Sequence, residues 1–262
     1  MTKTNGLVAY AEIVKTSIAS RMAYRDDFWI SSLMTVAGEL VVPLLTFLIY
    51  RSGASFPGWS LNEVLLIQAV FLLSKGIAFP FFFGIVWNTL DRVREGTFDL
   101  LLIKPRSALY MALVTGFQPD GLGRLLGGVL LLGVAAWIVP AAGIAGWLLF
   151  AALMLLSVMV LFSFALFMSG LLFRWVGSSR VYDIFDSVTS FGLYPRTVFS
   201  KSFVGLVLHA VPVMMIGFIP ASALLGKLPQ DVWIAAAVSF AFFLLSLAFW
   251  YRMLGNYTSA GG

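Results

Sequence analysis

The chain has 262 residues, of which 60% are hydrophobic and only 11% are charged. Because an ordinary globular domain carries about 25% charged residues, this composition indicates a multi-pass membrane protein and leaves few polar residues to cover a soluble domain. Cysteine is absent, which excludes disulfides, thiolate metal sites and cysteine nucleophiles. The net charge of +5 suits a protein that faces an anionic cytoplasmic leaflet. Since the basic residues are spread along the chain beside apolar blocks, we expect membrane lipids and no nucleic acid as partners.

Residues 1–27 precede the first apolar block and form a separate N-terminal segment. Apolar residues recur in it near helical spacing, with charged residues between them. They are Leu7, Val8, Tyr10, Ala11, Val14 and Ile18. This pattern predicts an amphipathic helix that lies along the inner leaflet. A merely solvated tail is the alternative.

Residues 28–256 carry the membrane spans, because a helix needs about 20 mostly apolar residues to cross a bilayer. Five blocks have that length and composition. They run from Phe28 to Tyr50, Leu61 to Leu90, Leu122 to Val139, Gly146 to Phe173 and Val232 to Tyr251. The second block contains Pro80, whose ring removes a helical hydrogen bond and predicts a kink.

Residues 174–231 admit two topologies. Plain hydropathy makes residues 203–225 a spanning helix, although Pro212 and Pro220 interrupt it. The other topology crosses with about Arg180 to Tyr194 and lets residues 195–228 dip into the membrane and return to the outside. Both give six crossings, and both place most lysines and arginines inside when the two termini are cytoplasmic, as the positive-inside rule requires.

Charged residues in the apolar blocks are rare, and in membranes such residues are usually paired or functional. Glu39 and Lys75 both fall near mid-depth, on adjacent antiparallel helices, so we expect an ion pair between them. The pair would fix the helix register, or alternatively contact a substrate. Arg180, Asp183 and Asp186 lie one helical turn apart, which predicts a local cytoplasmic charge cluster or alternatively a substrate gate.

His209 is the only histidine of the chain. A lone histidine cannot form the usual metal site, so we expect a hydrogen-bonded structural residue there. We expect no catalytic residue and no metal site in this chain.

The segment 91–110 is unusually charged and lies between the second and third blocks, on the cytoplasmic side. Its first residues extend the second helix, and Gly96 can stop that helix because glycine adopts positive φ at little cost. Thr97 can cap a short new helix that carries residues 100–103 and ends at Pro105. The segment therefore predicts a docking surface. The alternative is an ordinary loop that holds positive-inside arginines.

Two stretches resemble one family. "REGTFDLLLIKPRS", residues 94–107, resembles the E-x-G-T-[LF]-[DE]-x-L-L-x-x-P-x-S pattern of ABC-2 type permeases, the membrane subunits of bacterial ABC exporters. Residues 174–231 resemble the fifth span of that superfamily, followed by a Tyr194–Pro195 turn and an extracellular re-entrant hairpin with Pro212. The resemblance therefore favours the re-entrant topology. Polysaccharide exporters usually carry an Asn-Pro pair where this chain has Val211–Pro212, so their substrate class is not carried over.

The resemblance implies an all-α fold with six transmembrane helices, an N-terminal interfacial helix and an extracellular re-entrant hairpin. It implies export across the bacterial cytoplasmic (inner) membrane, with two ABC ATPase subunits and a second permease, identical or homologous, as partners. The chain has no G-x-x-x-x-G-K-[ST] phosphate loop, so ATP and Mg²⁺ would be bound by the partner ATPase. A coupling helix would contact that ATPase. The residues expected in this contact are Arg94, Glu95, Gly96, Thr97, Phe98, Leu101, Leu102 and Pro105.

Two other classes of protein compete with this interpretation. Asp183 and Asp186 resemble the Asp-x-x-Asp pair that holds Mg²⁺ in intramembrane transferases, although further carboxylates are missing nearby. An ion-coupled secondary transporter often shows inverted repeats, and none is visible in this sequence.

Overall fold

The computed structural model describes residues 6–23, 25–139, 142–175, 180–200, 205 and 210–258. These residues form helices and turns, without a strand among them, and the predicted all-α class is confirmed. His209 lies outside the described residues.

Twelve helices are described, and we number them in chain order. The first six are α1 (Gly6–Met22), α2 (Arg25–Glu39), α3 (Val41–Arg51), α4 (Leu61–Ala78), α5 (Gly84–Arg94) and α6 (Asp99–Leu102). The others are α7 (Ala108–Val114), α8 (Leu122–Ile138), α9 (Ile144–Leu172), α10 (Arg180–Thr189), α11 (Phe218–Leu224) and α12 (Val232–Gly255). Short 3₁₀ turns lie at Pro119–Gly121, Ser190–Leu193, Arg196–Val198 and Val213–Met215.

Five helical stretches of the described chain are long and apolar enough to cross a membrane, and each corresponds to one predicted block. They are Arg25–Arg51, Leu61–Arg94, Pro119–Ile138, Ile144–Leu172 and Val232–Gly255. The first is interrupted at Leu40, because Pro43 lacks the N–H that would bond to the carbonyl of Glu39. In the second, a π-helical turn at Phe79–Phe83 accommodates Pro80 and joins α4 to α5.

Glycines bring α8 against α4, which belongs to the most buried of the five long spans described. A Cβ at Gly76 would lie 2.7 Å from the Cα of Leu125, and a Cβ at Gly128 would lie 2.7 Å from the Cα of Leu73. Only a residue without a side chain permits so close an approach of two backbones. The two glycines therefore fix how α4 and α8 are placed against each other.

The chain between α10 and α12 runs first toward the Leu61 end of the long α4–α5 helix. Tyr182, at the start of α10, contacts Trp87 on α5 with ring centroids 5.6 Å apart. Tyr194, after α10, contacts Phe56 with ring centroids 5.9 Å apart, just before α4 begins. The hydroxyl of Thr197 donates to the carbonyl of Pro57 at 3.2 Å. The short α10 and its 3₁₀ extension therefore run along the bundle, from the level of Trp87 to that of Phe56.

The following segment turns back into the bundle and returns to the same end. The carbonyl of Ile216 accepts hydrogen bonds from the hydroxyls of Ser74 and Ser157, at 2.8 and 2.9 Å. After α11, Lys227 forms an ion pair with Glu63 at 2.6 Å, in the first turn of α4. In the described residues 210–228, the 3₁₀ turn Val213–Met215 precedes the seven-residue helix α11. The re-entrant topology stays a prediction.

The N-terminal helix α1 is covered on one side. Its half-buried residues recur at helical spacing on one face: Tyr10, Ile13, Val14, Ser17, Ile18 and Arg21. Arg21 pairs with Asp120 at 2.6 Å and with Asp27 at 3.3 Å, which ties α1 to the turn before α8. The hydrogen bond to Asp120 raises the pKa of Arg21 above its usual value.

Candidate functional site

The segment after α5 begins with a well-formed helix end. Gly96 has φ +68°, and the amides of Gly96 and Thr97 donate to the carbonyls of Val93 and Arg92, at 3.3 and 2.8 Å. This is a Schellman arrangement, which satisfies the last carbonyls of a helix and needs a glycine at the left-handed position. Gly96 therefore stops the helix as predicted.

The short helix α6 that follows is capped differently from the prediction. Its N-cap residue is Phe98, and no side chain caps it. Thr97 contributes its backbone amide to the end of α5 instead, so the predicted role of Thr97 as the cap is wrong. The amide of Thr97 donates to the carbonyl of Arg92 and so belongs to the C-terminal end of α5.

Burial divides the predicted contact residues into two groups. Phe98 and Leu101 are 0% and 1% exposed, because they lie one helical turn apart on the side that faces the bundle. In the isolated chain both side chains support the segment from the inside, and their predicted contact with a partner stays a prediction. Leu102 is exposed, together with Leu100 and Ile103, which the sequence prediction missed, and Ile103 is 79% exposed. We call Leu100, Leu102 and Ile103 the exposed tip.

The other predicted contact residues lie around this tip. Arg94, Glu95 and Pro105 are exposed, and Gly96 and Thr97 are half-buried. Lys104 is exposed beside Pro105. The arrangement is an apolar tip with charged neighbours, held from beneath by two buried apolar side chains.

A second feature lies within the spans, where four charged side chains share one level. The amide of Gln68 on α4 donates to the hydroxyl of Thr46 on α3 at 2.7 Å, which fixes the antiparallel register of these two helices. Lys75 lies seven residues after Gln68, and Glu39 lies seven residues before Thr46. Each is about two helical turns from this hydrogen bond, so the two charged residues lie at a similar level of the bundle. Arg124 and Asp186 join them there. We call Glu39, Lys75, Arg124 and Asp186 the charged layer.

The pairing within the charged layer differs from the prediction. Lys75 pairs with Asp186, and Arg124 pairs with Glu39. The predicted Glu39–Lys75 pair is therefore wrong, because α8 and α10 bring closer partners to each of them. The Lys75 side chain is 9% exposed and that of Asp186 is 46% exposed.

Aromatic rings cover both cations of the charged layer. The Arg124 guanidinium lies 3.9 Å from the ring centroid of Phe79, and the Lys75 ammonium lies 5.1 Å from that of Phe71. Cation–π contacts of this kind stabilise a partly desolvated cation by about 0.5–2 kcal/mol. Phe79 also opens the π-helical turn, a feature that is frequent at functional sites.

The predicted cluster of Arg180, Asp183 and Asp186 is not a closed unit. Asp186 pairs with Lys75, Asp183 is exposed, and the side chain of Arg180 lies outside the described part of the structure. Asp183 borders an open cleft of about 500 Å³. The cleft is lined by Asp183, Ile184, Ser187, Val188 and Phe191. Across the described residues, no three His, Asp or Glu side chains are grouped so that they could hold a metal ion, and this arrangement gives no support to a Mg²⁺-dependent transferase.

The predicted turn residues lie directly before two 3₁₀ turns, and their role in a re-entrant hairpin stays a prediction. Pro195 follows Tyr194 and precedes the 3₁₀ turn Arg196–Val198, and Pro212 precedes the turn Val213–Met215 that leads to Ile216. Near the Leu61 end, Arg196 pairs with Asp231 at 3.1 Å. This ion pair joins the beginning of the re-entrant segment to the residue before α12.

Comparison with known proteins covers both features. A sequence model of the ABC-2 family transporter proteins matches residues 36–261. The match extends from α2 beyond α12 and includes the exposed tip and the charged layer. No curated protein gives a significant match to the chain.

Proposed function

Because the chain belongs to the ABC-2 transporter family, we propose that it is the permease subunit of an exporter whose ATP is hydrolysed by separate subunits. The sequence carries no phosphate-binding loop, which is consistent with ATP and Mg²⁺ being bound by a partner. In this proposal two ATPase subunits act on two permeases, which are identical or homologous. The cargo crosses the bacterial inner membrane by alternating access between the two permeases.

The exposed tip is the observation that carries this proposal. Burying a leucine or isoleucine side chain stabilises a protein by about 1.5–3 kcal/mol relative to leaving it in water. Leu100, Leu102 and Ile103 all remain outside the fold, at a chain segment that turns sharply at Gly96 and is anchored by Phe98 and Leu101. Such a rigid apolar projection fits a groove with an apolar floor on a partner protein.

In the proposed cycle, closure of the two ATPases pushes on this tip. The two sides of the membrane follow from this assignment: the tip and both termini are cytoplasmic, α1 lies along the inner leaflet, and the re-entrant segment opens to the outside. The positive-inside rule gives the same orientation. The charged layer lies between these two ends.

This orientation can be tested with single cysteines, because the natural chain has none. Gln230→Cys is expected to react with a membrane-impermeant maleimide in intact spheroplasts. Lys104→Cys is expected to react only after the membrane is permeabilised. Both positions are exposed, so accessibility depends on the side of the membrane. Labelling of Lys104→Cys in intact spheroplasts would reverse the proposed orientation.

The contact with the ATPase can be tested at Ile103. Ile103→Asp is expected to reduce the amount of co-purified ATPase by at least about 10-fold, because 1.4 kcal/mol of lost binding is a factor of ten. Leu228→Asp is the matched control, since Leu228 is an exposed leucine near the opposite end of the bundle. Equal recovery of ATPase with both variants would contradict the proposed contact. Failure of any ATPase to co-purify with the natural protein would contradict the proposed function itself.

A further inference from the structure

Four aromatic rings form one packed cluster beneath the exposed tip. The ring of Phe98 meets that of Phe173 edge to face, with centroids 4.9 Å apart, and that of Tyr257 at 5.4 Å. Phe173 in turn contacts Trp250 at 5.6 Å and Tyr257 at 5.8 Å. We call Phe98, Phe173, Trp250 and Tyr257 the aromatic joint.

The aromatic joint connects three parts of the chain that are distant in sequence. Phe98 directly precedes α6, Phe173 ends α9, and Trp250 lies in the last turns of α12. Tyr257 follows α12, and its amide donates to the carbonyl of Leu254 at 3.1 Å. The residues after the last span therefore pack against the segment that carries the tip.

Burial makes this connection rigid. The side chains of Phe98 and Trp250 are fully buried, and Phe173 is nearly so. Edge-to-face aromatic pairs add about 0.5–1.5 kcal/mol to the free energy gained by burial, and closely packed interiors transmit strain rather than absorb it. A displacement of Phe98 must therefore displace α9 and α12.

The backbone offers a less direct route. Before the tip, the chain bends at Gly96, where φ is +68°. After it, residues 103–107 lie outside regular helices, and α7 begins only at Ala108. The backbone itself joins the tip to α5, through the amides of Thr97 and Phe98 that donate to the carbonyl of Arg92. The side-chain contact of Phe98 is the compact link from the tip to α9 and α12.

We propose that Phe98 and Tyr257 are positioning residues that transmit the push of the ATPase from the exposed tip to α9 and α12. This inference rests on the proposed function, and it makes the residues after the last span part of the coupling machinery. Without the Tyr257 ring, the tip is still held by Phe98 and Leu101 and still binds the ATPase, but its movement no longer reaches the spans.

The test uses the complete permease–ATPase complex with a single reporter cysteine, Ser187→Cys, on the exposed face of α10. The rate of maleimide labelling at this position is measured with and without ATP. In the otherwise natural complex we expect the two rates to differ. Tyr257→Ala is expected to reduce that difference at least about 5-fold while the ATPase still co-purifies. Phe98→Ala is expected to reduce the difference at least as much.

Two control variants separate transmission from a general loss of structure. Tyr257→Phe keeps the ring and is expected to keep the ATP-dependent difference. Trp175→Ala removes an exposed aromatic side chain just after α9 and is also expected to keep it. Tyr257 follows the last helix, so Tyr257→Ala tests the inference even if Phe98→Ala does not fold.

Three results would overturn the inference. An undiminished ATP-dependent difference in Tyr257→Ala would show that the joint transmits nothing. Loss of the ATPase from Tyr257→Ala would make the ring part of the binding surface instead. The third result is a complex without Phe98 or Tyr257 substitutions that binds the ATPase but shows no ATP-dependent difference in labelling rate. The joint would then have no movement to transmit, and the result would also count against the proposed function.

Discussion

Asp186→Asn is expected to destabilise the protein by about 3 kcal/mol, because it leaves the Lys75 ammonium charged and unpaired. Lys75 is 9% exposed in its side chain and lies within a span. Removing one partner of a buried ion pair typically costs about 3–5 kcal/mol, and the 46% exposure of Asp186 places the expected value at the lower end. The measurement is the midpoint of thermal unfolding of the purified protein in detergent.

Asp183→Asn is the matched control for this prediction. Asp183 lies one helical turn earlier on α10 and is exposed, so its neutralisation is expected to change the midpoint little. The double variant Lys75→Met with Asp186→Asn removes both charges and is expected to recover most of the lost stability. Equal midpoints for Asp186→Asn and Asp183→Asn would show that the pair does not form.

The double variant also distinguishes a structural role from a role in transport. If it folds and transports like the natural protein, the pair only holds α10 against α4. If it folds but does not transport, the charges themselves take part in the transport cycle. Lys75 and Asp186 lie on two different helices, so a movement of α10 relative to α4 would have to break or replace their pair.

The five long spans could be predicted from the sequence because crossing a bilayer requires a length of apolar chain, and length and composition are visible in the sequence. The sixth crossing could not be placed by the same means. α10 with its 3₁₀ extension is short and carries Asp183 and Asp186. The course of this part of the chain is visible only from its contacts with distant residues. Tyr194 packs against Phe56 before α4, and Ile216 accepts hydrogen bonds from α4 and α9.

The charged layer shows a different limit of sequence reasoning. The similar level of Glu39 and Lys75 follows from the regular rise of a helix, while their depth in the membrane stays a prediction. Their partners depend on which faces of α8 and α10 turn toward them. Gly76 and Gly128 set the approach of α8 to α4, and such close contacts cannot be recognised in a chain where many glycines face open space.

For the exposed tip, the sequence identified the segment but not its orientation. Four consecutive apolar residues, 100–103, give a helix of one turn no periodicity from which an inner face can be read. In the structure, Leu101 and Phe98 are the two side chains that face the bundle and are buried. This orientation depends on the rings of Phe173 and Tyr257, which come from two distant parts of the chain.

Gly84→Ala is expected to have the largest effect of any alanine substitution among the glycines whose surroundings the structure describes. A Cβ at Gly84 would overlap the carbonyl oxygen of Gly116, and a Cβ at Gly116 would lie 2.8 Å from the carbonyl oxygen of Ala112. Because the atoms in the way belong to the backbone, no rotation of a side chain relieves the overlap. We expect a loss of stability greater than about 3 kcal/mol, at or above the upper end of ordinary overpacking.

Gly133→Ala is the matched control, since Gly133 lies within α8 and a Cβ there would meet nothing within 4 Å. Alanine is favoured over glycine in a helix by about 0.5–1 kcal/mol, so this variant is expected to be at least as stable as the natural protein. Thermal midpoints that do not differ between the two variants would contradict the close contact of α5 with the end of α7.

The Gly84 contact also bears on coupling, because α5 and α7 flank the exposed tip on both sides in sequence. A variant that forces these two helices apart is expected to move the tip relative to the aromatic joint. If a mild version, Gly116→Ala, still folds in detergent, it is expected to bind less ATPase than Gly133→Ala does. Equal binding would mean that the tip is positioned by Phe98 and Leu101 alone, without help from the helices beside it.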